Sequence, residues 1–242
     1  MTTLYHLHQP NLGMRVIILV VAALWTDGCL GQINQALKRE LDSIYITDQQ
    51  YRDLLARIYT GQGTSCVDSL RNALGVPANQ VVSLLWEKQT TIDQSNLKRM
   101  EQLFAASGYP GRSQVGQPTN EVAWNIIQHS AKIAAYFPLI RQAGKYNELP
   151  LTLVATMQDR WLVEQNQPQR YGTQGVCRNR HATPEQEDCF IWPIQQPAWV
   201  NKRRKVVGFR TSVEENARAM HIPYEALSMA RMRKTYITRP VN

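Results

Sequence analysis

The chain has 242 residues, enough to bury a sizeable core as a single domain. A hydrophobic share of 43% with 19% charged residues excludes disorder of the whole chain. The net charge of +8 raises nucleic acid and anionic membranes as partners to be weighed.

Residues 1–31 read as a leader. Arg15 supplies a positive flank, and Val16 to Trp25 form an apolar run too short to span a bilayer but suited to a signal segment. Gly28, Cys29 and Gly31 follow, with cleavage expected after Gly31. Met14 is a candidate start. Two alternatives stand beside this: a lipidated Cys29 that attaches the protein to a membrane, and an uncleaved buried helix. Export would place the protein in the periplasm or cell envelope, where thiols oxidise.

Ile33, Leu37, Leu41, Ile44, Leu55 and Ile58 recur at helical steps and predict a helix over 33–59, ended by the glycines at 61–63. A short helix is expected within 64–78. A second long helix over 80–106 turns Val82, Leu85, Trp86, Ile92, Leu97, Met100, Leu103 and Phe104 inward, and Gly108-Tyr109-Pro110 stops it. Thr119 or Asn120 is placed to cap a helix that carries Val122, Ile126, His129, Ile133 and Phe137 on one stripe, to be kinked or ended by Pro138. Pro150 sits where the first turn of another helix tolerates it, with that helix reaching about Gln165.

Beyond it, turn formers and β-formers predict a loop and a small hairpin. Cys177 and Cys189 flank the polar segment RNRHATPEQED, and a disulfide between them is expected. A metal site on Cys177, His181 and Cys189 is the competitor, although the spacing fits no standard zinc pattern. Cys66 would be a lone thiol. Helices are expected near 198–207 and after the capping box Ser212-x-x-Glu215. From Lys202 to Arg239 there are ten Lys or Arg against three Glu, read as a mostly solvated basic tail from 226 to 242, and export argues against nucleic acid. The expected architecture is mainly α: a helical bundle over 32–225 with a small hairpin.

Polar residues fall on or beside the inward stripes of four helices: Asp48 and Arg52, then Asp93 and Asn96, then His129 with Gln128, then Asp159 with Arg160. An unpaired buried polar group costs about 1–3 kcal/mol, so these groups are expected to meet in one network. In that network His129 is the candidate general base, oriented by Asp93 or Asp159, while Arg52 or Arg160 holds an anionic ligand group. Each has a structural alternative: a helix cap for Asp48, an ion pair for Asp48 with Arg52, a satisfied core histidine for His129, a wet stripe edge for Asp93, and a tie between hairpin and bundle for Asp159 with Arg160. No nucleophile, phosphate or dinucleotide motif is present, no metal is specified, and no cofactor can be named.

Asp48-Gln49-x-x-Arg52, Asp93-x-x-Asn96, Gly108-Tyr109-Pro110, Val115-Gly116, Gln128-His129, Asp159-Arg160, Gln169-x-Tyr171-Gly172-Thr173-Gln174 and Asn201-Lys202-Arg203-Arg204 occur in order over about 36–210. Together they resemble a bacterial domain-of-unknown-function family of exported hypothetical proteins. That pattern has an acidic residue two places after the His, where this chain has Ala131. The resemblance implies site residues but no reaction, and it adds Tyr171, Thr173 and Gln174 as a loop that closes a pocket or leads into the hairpin. Two functions remain: an extracytoplasmic acid–base or hydrolytic enzyme acting on a small polar ligand, and a non-catalytic envelope module binding a ligand or protein.

Overall fold

Apolar periodicity dominates the architecture. The computed structural model describes residues 32–61 and 64–237, and the leader with Cys29 lies outside them. The described residues form ten α-helices and one antiparallel hairpin, so the chain is mainly α. None of these helices is long and apolar enough to cross a membrane.

Helices α1 (Gln35–Tyr59) and α3 (Ala78–Ser107) are the longest. Asn34 caps α1 by accepting the Leu37 N–H at 3.0 Å. The helix runs unbroken through Asp48, which is therefore no cap. The two helices lie antiparallel, since Glu40 pairs with Arg99, Arg52 with Asp93, and Tyr59 with Trp86. Leu41, Asp48 and Leu55 form the buried line of α1, at steps of seven residues that return to one face. Leu41 joins the main core with Met100, Ile127, Ile140 and Met157. Leu55 joins a smaller core with Val81 and Leu85, which α2 (Thr64–Leu74) helps to cover. Trp86 does not turn inward as expected; it is exposed, with its indole N–H on Tyr59 Oη at 3.1 Å.

The expected helix over 122–137 is two helices. A 3-10 turn, Thr119–Glu121, leads into α5 (Val122–Gln128), and α6 (Ile133–Lys145) begins after a four-residue break, 129–132. Ser130 Oγ donates to the Ile127 carbonyl at 2.8 Å and accepts the Lys132 N–H at 3.1 Å, so the side chain replaces helical partners. Val122, Ile126, Ile133 and Phe137 are all buried across the break. Neither Thr119 nor Asn120 caps α5: Thr119 Oγ1 donates to Asp42 and Asn120 Nδ2 to the Glu148 carbonyl. Pro138 does not end α6. After α6, α7 (Leu151–Glu164) starts immediately beyond Pro150.

The hairpin pairs β1 (Gly175–Asn179) with β2 (Glu187–Ile191), and Cys177 stands opposite Cys189 in the register. The two are joined as a disulfide, which takes both sulfurs from the competing metal reading. A 3-10 turn, Pro197–Trp199, opens α8 (Val200–Val206). The Ser212 capping box opens α9 (Val213–Ala219) as expected. The segment read as a solvated basic tail contains α10 (Met229–Thr235), which buries Met232 against Phe190 and Trp192. His181 N–H donates to the Thr235 carbonyl at 3.0 Å and Ile237 N–H to the Asn179 carbonyl at 2.9 Å, tying this end to the hairpin.

Candidate functional site

Four of the expected polar residues meet in the α1/α3 seam, between its two apolar ends. Asp48 is 1% exposed. Its carboxylate accepts Gln49 Nε2 at 2.7 Å and Asn96 Nδ2 at 3.5 Å, and Arg52 Nε lies 3.5 Å away. Arg52 Nη2 reaches across to Asp93 Oδ1 at 2.5 Å. Gln89, which is 0% exposed, completes the layer: Nε2 donates to Asp93 Oδ1 at 2.7 Å and to the Asp48 carbonyl at 3.2 Å. Gln89 was not among the sequence candidates. It follows Leu85 and precedes Asp93 by four residues each, a spacing that places it on their face. Two buried atoms here, Arg52 Nε and Gln89 Oε1, have no hydrogen-bond partner among the described residues.

Burial raises the Asp48 pKa above the ordinary carboxylate value, opposed by Arg52 and assisted by the like charge of Asp93. The layer is thus one cation between two carboxylates, the better buried of which resists ionisation.

His129 caps the C-terminal end of α5 and is exposed, not buried on a helix stripe. Its imidazole makes no hydrogen bond among the described residues. Protein nonetheless crowds one side of the ring. That partial burial, followed by the charges of Arg52 and Arg160, pushes the imidazole pKa down from 6.5 to about 4, with Asp93 pulling the other way. Water on the open side screens the effect, yet the ring is neutral at pH 7. The charges that act on the ring are thus those of Arg52 and Asp93 in the seam and of Arg160 on α7. Gln128 is turned along its own helix, donating to Asn125 Oδ1 at 3.2 Å.

Asp159 does not join this network. It is buried, and its oxygens accept the N–H groups of Arg170, Tyr171 and Thr173 together with Thr173 Oγ1 at 2.7–3.1 Å. Desolvation raises its pKa, and these donors oppose the rise. Gln174 N–H bonds Gln169 Oε1 at 2.9 Å, and Gln174 Nε2 donates to Thr173 Oγ1 at 3.0 Å. The loop carbonyls are also used: Arg203 Nε donates to that of Arg170, Arg204 Nη1 to that of Tyr171, and Asn216 Nδ2 to that of Gly172. Tyr171 packs its ring near Phe209. Arg204, 1% exposed and unforeseen within a basic run, also lays its guanidinium 4.3 Å from the Phe209 centroid. Tyr171, Thr173 and Gln174 thus belong to a locked entry to the hairpin.

Among the described residues no group of three His, Cys, Asp or Glu is placed to hold a metal ion. The sequence pattern of a family of unknown function, DUF6624, matches residues 64–227, more than half of the chain. The chain belongs to DUF6624. The matched span includes Gln89, Asp93, Asn96, His129, Arg160 and the Asp159 loop, while Asp48 and Arg52 on α1 precede it. No curated protein and no solved structure matches this DUF6624 chain.

Proposed function

We propose that this DUF6624 protein is exported and binds a small polar ligand carrying an anionic group beside His129, where the end of α5 adjoins the α1/α3 seam, performing acid–base chemistry on it. The observation that carries the reading is His129: an exposed, neutral imidazole without a hydrogen bond, acted on by Arg52, Arg160 and Asp93. Arg160, whose partner Glu164 stands off at 3.8 Å, supplies most of the anion's counter-charge, and Arg52, shared between Asp48 and Asp93, adds to it. A hydroxyl or water on the ligand donates to the free imidazole nitrogen, which takes the proton as general base. An anion between Arg52 and Arg160 offsets their repulsion of imidazolium, so ligand binding raises the basicity of His129 towards neutral pH. The leader and the Cys177–Cys189 disulfide support export into an oxidising compartment.

A second reading, a binding module without chemistry, is favoured by one observation: an imidazole held at about 4 is a weak base. A panel of nitrophenyl phosphate and carboxylate esters separates the two. Under the enzyme reading, His129→Ala lowers turnover of an accepted ester by about 100-fold with an unchanged melting temperature, and full retained turnover refutes it. A wild-type protein inert across the panel, but stabilised by inorganic phosphate in a manner lost in Arg160→Gln, establishes the binding module instead.

A further inference from the structure

Helix α8 has two unlike faces. Val200 and Arg204 are buried, one turn apart. On the other side Trp199, Lys202 and Val206 follow at steps of three and four, with Lys205 beside them and Arg210 just beyond. Trp199 is 57% exposed and Val206 76% exposed. Lys202 Nζ lies 5.4 Å from the centroid of the Trp199 ring. Residues 195–211 contain no Asp or Glu. Glu214, on α9, is turned to Asn201 Nδ2 at 2.9 Å. Lys202, Lys205 and Arg210 have no ion pair among the described residues.

We propose that the outer face of α8, with the turn before it, docks on an anionic lipid bilayer. A single exposed apolar side chain requires no explanation, but here two of them share a face with unpaired cations. Tryptophan settles at the headgroup level, where its ring is buried and its indole N–H stays hydrated. Lysine stems lie along the acyl boundary while their ammonium groups reach lipid phosphates. A soluble polyanion would meet the same cations but would gain nothing from Trp199 and Val206. This surface is separate from the His129 site, and it would hold the exported body against the envelope whether or not the leader remains attached.

The test uses the full chain with vesicles of phosphatidylcholine, with or without phosphatidylglycerol, containing brominated lipid that quenches nearby tryptophan. On the anionic vesicles the wild type is expected to be quenched beyond the level reached by Trp199→Phe. The double variant Lys202→Glu/Lys205→Glu is expected to bind about 30-fold more weakly, at roughly one kilocalorie for each lysine near the surface. Equal quenching of wild type and Trp199→Phe overturns the proposal, including the case in which the leader alone anchors the chain. Retention on heparin equal to that on anionic vesicles and indifferent to Trp199 also overturns it, in favour of a polyanion surface.

Discussion

Asp159 and Thr173 are joined twice, because both the backbone N–H and the hydroxyl of Thr173 donate to Asp159 Oδ2 at 3.0 Å. A carboxylate that organises a loop in this way satisfies several peptide donors with one side chain, and each such bond to a charged group is worth more than a neutral one. In Asp159→Asn an amide N–H₂ must face those donors. Stability is expected to fall by about 3 kcal/mol, with faster hydrogen exchange at Arg170, Tyr171 and Thr173. Denaturant unfolding and exchange measurements check both.

Gly172 lies at φ +67 within the same loop, and a Cβ there would meet Val213 Cγ2 at 2.5 Å. Val213 is fully buried and cannot yield. Gly172→Ala is expected to cost about 2 kcal/mol or more through strain and overpacking together, measured as a drop in melting temperature.

Arg52 stands between two carboxylates, so Arg52→Gln leaves them facing without a cation. The expected loss is about 3 kcal/mol at pH 7. Asp48 has a raised pKa because of burial, then the charge of Asp93, and losing Arg52 raises it further. A group whose folded pKa is raised favours the fold below its unfolded pKa and loses that contribution as pH rises through the folded value. The deficit of Arg52→Gln is therefore expected to shrink from pH 7 towards pH 4, as urea titrations at the two pH values would show.

His129 carries the opposite sign. Its folded pKa of about 4 lies below the ordinary 6.5, so the unfolded chain binds the proton first as pH falls. Its contribution is full above about 6.5 and is lost between there and about 4. Imidazole signals followed by NMR are expected to titrate below 6.5 in the wild type and to move up towards it in Arg160→Gln.

Much of this fold was legible in the sequence. The helices of the α1/α3 pair, the Ser212 capping box and the disulfide-closed hairpin follow from periodicity, cap chemistry and the cysteines flanking a polar loop. The interruption at His129–Lys132 was not legible, because Ile133 and Phe137 keep the apolar stripe in step while Ser130 diverts the backbone hydrogen bonds. The site was half legible. Period alone shows that Asp48, Arg52, Asp93 and Asn96 face inward, but it cannot show which buried groups share a partner. Asp159 leaves the expected network for its alternative, a tie between hairpin and bundle, because most of its donors are backbone N–H groups, which have no mark in a sequence. The segments Asp159-Arg160, Gln169 to Gln174 and Asn201 to Arg204, which carry the family resemblance, are largely parts of one loop-holding assembly. The burial of Arg204 is not legible, since a run of four cations looks like surface.

The hydrophilic layer at Asp48, Arg52, Gln89, Asp93 and Asn96 also fixes how the two longest rods align. Sliding α3 along α1 by two turns would bring Leu85 or Met100 against Asp48 and strand Arg52 among aliphatic side chains. Greasy contacts alone would tolerate several such offsets at similar energy; charges at mid-length admit only one. The same five side chains thus act as a notch, and the seam keeps its register because the rods that bear it cannot slip.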